Sequence, residues 1–95
     1  MAAYIIGDVE ITDPSRYETY KRLVPASIAA YGGRFVVRGG ATEGLEGSWS
    51  PRRIVVLEFP DTARARAWWE STEYAEAKAL RQLCAKTRLN LVEGA

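Results

Sequence analysis

Histidine is missing from this chain, and cysteine occurs once, as Cys84. Without imidazole and with a single thiol, the common zinc ligand sets, the serine and cysteine triads and a histidine-ligated haem cannot be assembled by this chain acting alone. Any acid or base must then be a carboxylate, a tyrosine, a lysine or a bound water. One cysteine closes no internal disulfide, which agrees with a reducing compartment. Neither sign of charge is in excess: 13 Lys and Arg against 12 Asp and Glu leave a formal net charge of +1, with the arginines spaced singly. Bulk electrostatics therefore make no case for nucleic acid or an anionic membrane as partner. No apolar run approaches the roughly 20 residues of a membrane span, and the opening MAAYIIGDVE lacks the basic and apolar segments of a secretion signal. The expected location is the cytoplasm.

What is present is a short domain with strong alternation. Its 95 residues, 47% of them hydrophobic, predict one domain over residues 1–95, and a domain of this size buries only about 60% of its unfolded surface. A second copy is the ordinary remedy for so thin a core.

The chain is organised around Gly32-Gly33-Arg34-Phe35-Val36-Val37-Arg38-Gly39-Gly40. Period-two reading puts Phe35 and Val37 on one side of a strand and Arg34, Val36 and Arg38 on the other. Before it, Ala3 to Ile11 alternates as a strand, with Ile5, Val9 and Ile11 opposed to Tyr4, Ile6, Asp8 and Glu10. Asp13-Pro14 then starts a helix with a capping side chain followed by proline. Tyr17, Tyr20, Val24, Ile28 and Tyr31 recur at helical spacing, Pro25 is expected to kink or interrupt the helix near Lys21 and Arg22, and Gly32-Gly33 stops it.

Gly39 to Pro51, with Trp49, reads as a long loop of the kind that is functional or mobile. Arg53 to Phe59 is a further strand, Asp61 caps a helix carrying Trp68 and Trp69, and Ser71-Thr72-Glu73-Tyr74 is a break with a fresh cap leading a second helical piece to about Lys86. Thr87 to Glu93 alternates as the last strand. The order predicts an α+β fold, the ferredoxin-like βαββαβ arrangement with a four-stranded antiparallel sheet and its helices on one face.

Each strand then has an apolar side for the helices. The opposite sides collect Tyr4, Ile6, Asp8, Val36, Arg38, Ile54, Val56, Glu58, Arg88, Asn90 and Val92, a face too apolar for open water and too charged for a dry core. A homodimer packed through this sheet face would enclose a chamber in which Arg38 pairs with Asp8 or Glu58. Two readings of that cluster stand side by side: a structural ion pair registering the subunits, or a site in which Arg38 clamps an anion and Asp8 or Glu58 moves a proton. Trp49 is a seam residue or a lid over the chamber. Tyr74 and Arg81 fill and brace the helix layer or reach a ligand, as Tyr4 and Asn90 would from the strands. Cys84 sits among Leu80, Leu83 and Ala85 as a small core residue.

YGGRFVVRGG, Gly47-Ser48-Trp49 before Pro51-Arg52-Arg53, VVLEFPD, Trp68-Trp69, Ser71, Glu73-Tyr74 and Arg81 together resemble a family of small bacterial proteins known as domain-of-unknown-function family 1330. The resemblance spans nearly the whole chain. It implies the dimeric α/β barrel superfamily, whose members include cofactor-independent quinone-forming monooxygenases, muconolactone isomerase-like enzymes and haem-dependent chlorite dismutases, and the lack of histidine is a departure from the haem branch and from many of the monooxygenases. It assigns no activity.

Two functions are expected from different classes. One is a homodimer binding a small molecule, with cofactor-independent chemistry on a small organic acid, ketone or quinone-like compound; no cofactor and no metal is expected. The alternative is a non-catalytic dimeric binding or scaffold module. RNA recognition by the sheet is disfavoured, because Phe35 and Phe59 fall on the helix side rather than on an open face.

Overall fold

A computed structural model describes residues 1–95. Its elements are β1 (Ala3–Ile11), α1 (Pro14–Ala30), β2 (Arg34–Arg38), β3 (Ile54–Phe59), α2 (Thr62–Glu70), α3 (Thr72–Cys84) and β4 (Ala85–Glu93). The strands form one sheet in the order β2-β3-β1-β4, and every neighbouring pair is antiparallel. No helix is long and apolar enough to cross a membrane.

Local signals set the helix ends. Asp13 accepts a hydrogen bond from the Arg16 amide at 3.2 Å, and Asp61 accepts one from Arg64 at 2.7 Å. Each cap satisfies an amide that has no partner inside its helix. Gly32 closes α1 with φ +75°, and the amides of Gly32 and Gly33 donate to Ala29 and Ile28. This is the left-handed stop that only glycine adopts at low cost.

Ser71 separates α2 from α3 and serves both. Its hydroxyl donates to the Trp68 carbonyl at 2.7 Å and accepts from the Tyr74 amide at 3.1 Å.

The core lies between the helices and one side of the sheet. Ile5, Val9, Leu57 and Phe59 meet Tyr17, Tyr20, Val24, Ile28, Trp68 and Tyr74 there, with Cys84 fully buried. Trp68 stacks on Tyr74 with ring centroids 4.0 Å apart and satisfies its indole N–H on Ser27 Oγ at 3.0 Å. A buried tryptophan with its one donor paired is among the largest single contributions available to a core this small. Trp69, one residue on, faces outward and carries Lys78 Nζ over its ring.

Three expectations are corrected. Of the kink or interruption expected at Pro25, the interruption does not occur: α1 runs unbroken through it, and the Lys21 carbonyl left without that amide accepts from Arg38 Nη2. The last strand begins at Ala85 rather than Thr87, directly after α3 with no connecting loop. The third correction moves the candidate site. Arg34 lies opposite Glu58 and Phe35 opposite Leu57, but the register then slips, so that Val37 faces Val56 and Arg38 faces Val55.

Val36 is the extra residue of a β-bulge. An extra residue reverses the alternation beyond it, so Val37 leaves the helix side and Arg38 joins it.

Candidate functional site

The sheet has two chemically different sides. On the open side, Glu58 accepts from the Tyr4 hydroxyl at 3.0 Å and from Arg34 Nε at 2.7 Å. The Tyr4 hydroxyl bond and then the Arg34 contact hold the Glu58 carboxyl below its ordinary pKa. The same bond to Glu58, with its negative charge, raises the Tyr4 phenol.

Further along, Asp8 lies between Ile54 and Arg88 in the pairing and accepts from the Arg52 amide at 3.0 Å and from Trp49 Nε1 at 3.4 Å. Asp8 thus anchors the loop that enters β3. Asn90 sits opposite Ile6, and Ile6, Val36 and Val92 are exposed around these polar groups.

On the helix side a cavity of about 40 Å³ lies between α1, α3 and the sheet. Its polar centre is a chain of three side chains: Arg81 Nε donates to the Tyr74 hydroxyl at 3.1 Å, and the Tyr74 and Tyr20 hydroxyls share a hydrogen bond at 3.0 Å. Arg81 is 6% exposed and Tyr74 fully buried. Burial first, then the neighbouring Tyr74, pushes the Tyr20 phenol up, so it stays protonated at any physiological pH.

Apolar side chains of Ile5, Val9, Val24, Phe35, Val55 and Leu89 make the rest of the wall. Lys21, Arg38, Arg53 and Arg81 are its charged members, and no carboxylate lines it. Of these cations only Lys21 has an acidic partner, Glu18 at 3.3 Å on the exposed side of α1.

The bulge thus divides the predicted site. Tyr4, Asp8, Glu58 and Asn90 are together on the open side with Trp49, as expected. Tyr74 and Arg81 are together in the helix-side cavity. Arg38 joins the second group and pairs with neither Asp8 nor Glu58: its guanidinium packs 4.1 Å from the Phe35 ring centroid, and Nη2 donates to the Lys21 carbonyl at 2.8 Å. Glu58 takes Arg34 instead. An Arg38 clamp working with an Asp8 or Glu58 base is therefore ruled out, since the sheet stands between them.

Tyr17, Tyr20, Arg53 and Thr87 were not anticipated as cavity residues. The signal for the two tyrosines was present, as aromatics on the buried stripe of α1 carry hydroxyls that need partners.

This architecture is the ferredoxin-like α+β fold, a four-stranded antiparallel sheet with its helices on one face. The chain belongs to the family described as domain of unknown function (DUF1330), which it matches over residues 2–95. None of the curated proteins compared matches it.

Among solved structures, a protein of unknown function from Rhodopseudomonas palustris is 19% identical with a TM-score of 0.78, over 99% of this chain and 82% of that one. SnoaB, a cofactor-independent oxygenase from Streptomyces nogalater, is 12% identical with a TM-score of 0.67, over 99% of this chain and 93% of that one. A conserved protein of unknown function from Bacteroides thetaiotaomicron is 14% identical with a TM-score of 0.68, over 98% of this chain and 97% of that one. At such identities the likeness shows the fold alone.

Proposed function

We propose that this protein is a homodimer, closed through its open sheet face, that binds one small organic molecule in the helix-side cavity of each subunit. The observation that carries the reading is the Arg81–Tyr74–Tyr20 chain, buried beneath the helices beside Arg38 and Arg53, which have no carboxylate to meet. Convergent polar groups in an otherwise apolar recess are the usual form of a small-molecule site. Tyr4, Asp8, Glu58, Asn90 and Trp49 belong to the dimer seam in this reading, and Tyr74 and Arg81 to the ligand.

The lining also sets the chemistry. With no carboxylate and no histidine in the cavity, and with its one lysine, Lys21, ion-paired to Glu18, the protein offers no free base there. Catalysis would be confined to a substrate that ionises by itself, a small open-chain enol whose pKa falls when cations and hydroxyl donors surround its oxygen. Cofactor-independent chemistry of the kind named for SnoaB is compatible with that condition. A plain binding module satisfies the same geometry, and the absent base favours it.

Native mass spectrometry of freshly purified protein tests both halves. It should report a dimer carrying a small molecule, and Tyr74→Phe should lose that molecule while keeping the dimer. Full retention by Tyr74→Phe would remove the hydroxyl chain from the site.

A further inference from the structure

Two side-chain atoms are shielded from solvent and left without any hydrogen-bond partner: Arg53 Nε and Thr87 Oγ1. Both residues line the helix-side cavity. They also share one row of the sheet. Val9 lies opposite Thr87, and its amide donates to the Arg53 carbonyl at 2.8 Å, so the two flank the buried Val9 from the neighbouring strands.

Orphaned polar atoms are uncommon in native interiors because each carries its full desolvation cost. Two in one small cavity mark a place where something else binds.

The surroundings decide its charge. Arg53 has no acidic partner, its guanidinium instead lying 5.5 Å from the Tyr17 ring centroid, and Arg81 and Arg38 are likewise unpaired with acids. Gly39 makes room: it has φ +71°, and a Cβ there would collide with the Arg53 guanidinium. A recess lined by three arginines without an acidic partner, beside a lysine that has one, has the wrong electrostatics for a neutral guest. Its volume, about 40 Å³, is on the scale of a few waters, which suits a carboxylate with a short apolar tail and not a ring.

We infer that the cavity takes its ligand as an anion, a short-chain monocarboxylate whose oxygens are received by Arg53 Nε and Thr87 Oγ1 and whose tail faces Val9 and Leu89. This names the ligand class for the cavity and rests on that cavity being the binding site.

The experiment titrates the full-length protein with butyrate and with its neutral amide, butyramide, at low salt, following backbone amides by NMR. Butyrate should bind with shifts centred on Val9, Gly39 and Thr87, and butyramide should bind about tenfold more weakly or worse. Arg53→Met should cost butyrate about tenfold and leave butyramide unchanged, with Arg53→Lys recovering part of the loss. Thr87→Val, which removes only the hydroxyl, gives the same comparison should Arg53→Met fail to fold. Equal binding of the two probes overturns the anionic assignment and leaves the cavity as the site. Binding of neither, with a buried water as the only occupant, overturns it too, and the fate of the co-purifying molecule in Tyr74→Phe then decides the cavity independently.

Discussion

Pro25 removes one amide from α1, and the Lys21 carbonyl that this amide would have met accepts from Arg38 Nη2 instead. A proline inside a helix normally costs about 3 kcal/mol relative to alanine, partly for that missing bond. The guanidinium supplies a substitute donor from the neighbouring strand, and this is the role the structure gives Arg38. The two residues should therefore be coupled. Arg38→Met should destabilise the natural protein by about 1 kcal/mol and should cost close to nothing in a Pro25→Ala background, where the helix donates to Lys21 by itself. A double-mutant cycle in urea measures the difference, and equal costs in both backgrounds would dismiss the coupling.

Glu58 gives a second prediction at this scale. Its folded pKa is depressed, by the Tyr4 hydroxyl first and Arg34 second. Its contribution to stability is therefore fully present above the unfolded value, about 4.3, and is lost as pH falls through the lower folded pKa. Tyr4→Phe removes the larger cause, so the Glu58 carboxyl resonance should titrate closer to the ordinary value in that variant. An unmoved midpoint would show that Tyr4 has no part in it. Such residue pairs were partly legible: alternation along β1 and β3 placed Tyr4 and Glu58 on one side, whereas Arg38 was misplaced because its side depends on a bulge two residues upstream.

At the scale of elements, signals written within one stretch of chain were readable and those written between stretches were not. Asp13-Pro14 and the Ser71 to Tyr74 break announce helix starts because a capping side chain acts on amides two or three residues away. Ser71→Ala would remove the α3 cap and the bond back to Trp68 together. It should lower stability by about 1–2 kcal/mol, seen as a fall in Tm of roughly 4–8 °C per kcal/mol for a domain of this length. A change under 1 °C would mean that packing of Trp68 and Tyr74 holds the junction unaided.

The bulge in β2 has no such local mark. Val36 and Val37 are the same residue, so a slip between them changes no pattern of polarity, and only pairing with β3 sets the register. With the slip went the identity of the cavity, whose lining comes from α1, α3 and all four strands and from Arg53 just ahead of β3. No window of sequence contains it.

On the scale of the whole molecule, the Cα trace is 16 Å across its shortest axis, room for one layer of helices and one sheet. The other side of the sheet is therefore bare, and it carries Ile6, Val36 and Val92, each 40–45% exposed, among the Asp8 and Glu58 clusters. The alternation in β1, β3 and β4 made this two-sidedness plain from the chain alone.

The segment between β2 and β3 lies open beside this face: Leu45 is 86% and Trp49 65% exposed, and no atom lies near Gly40, Gly44 or Gly47. A dimer built on the sheet has that loop at its margin, and the two contributions can be separated. Ile6→Glu places a charge at the centre of the sheet face and should yield monomers in sedimentation velocity, with the far-UV spectrum unchanged. Trp49→Ala should weaken association about tenfold or more without abolishing it. A natural protein that sediments as a monomer at micromolar concentration would sink the dimer itself; dimers that survive Ile6→Glu would move the interface off this face.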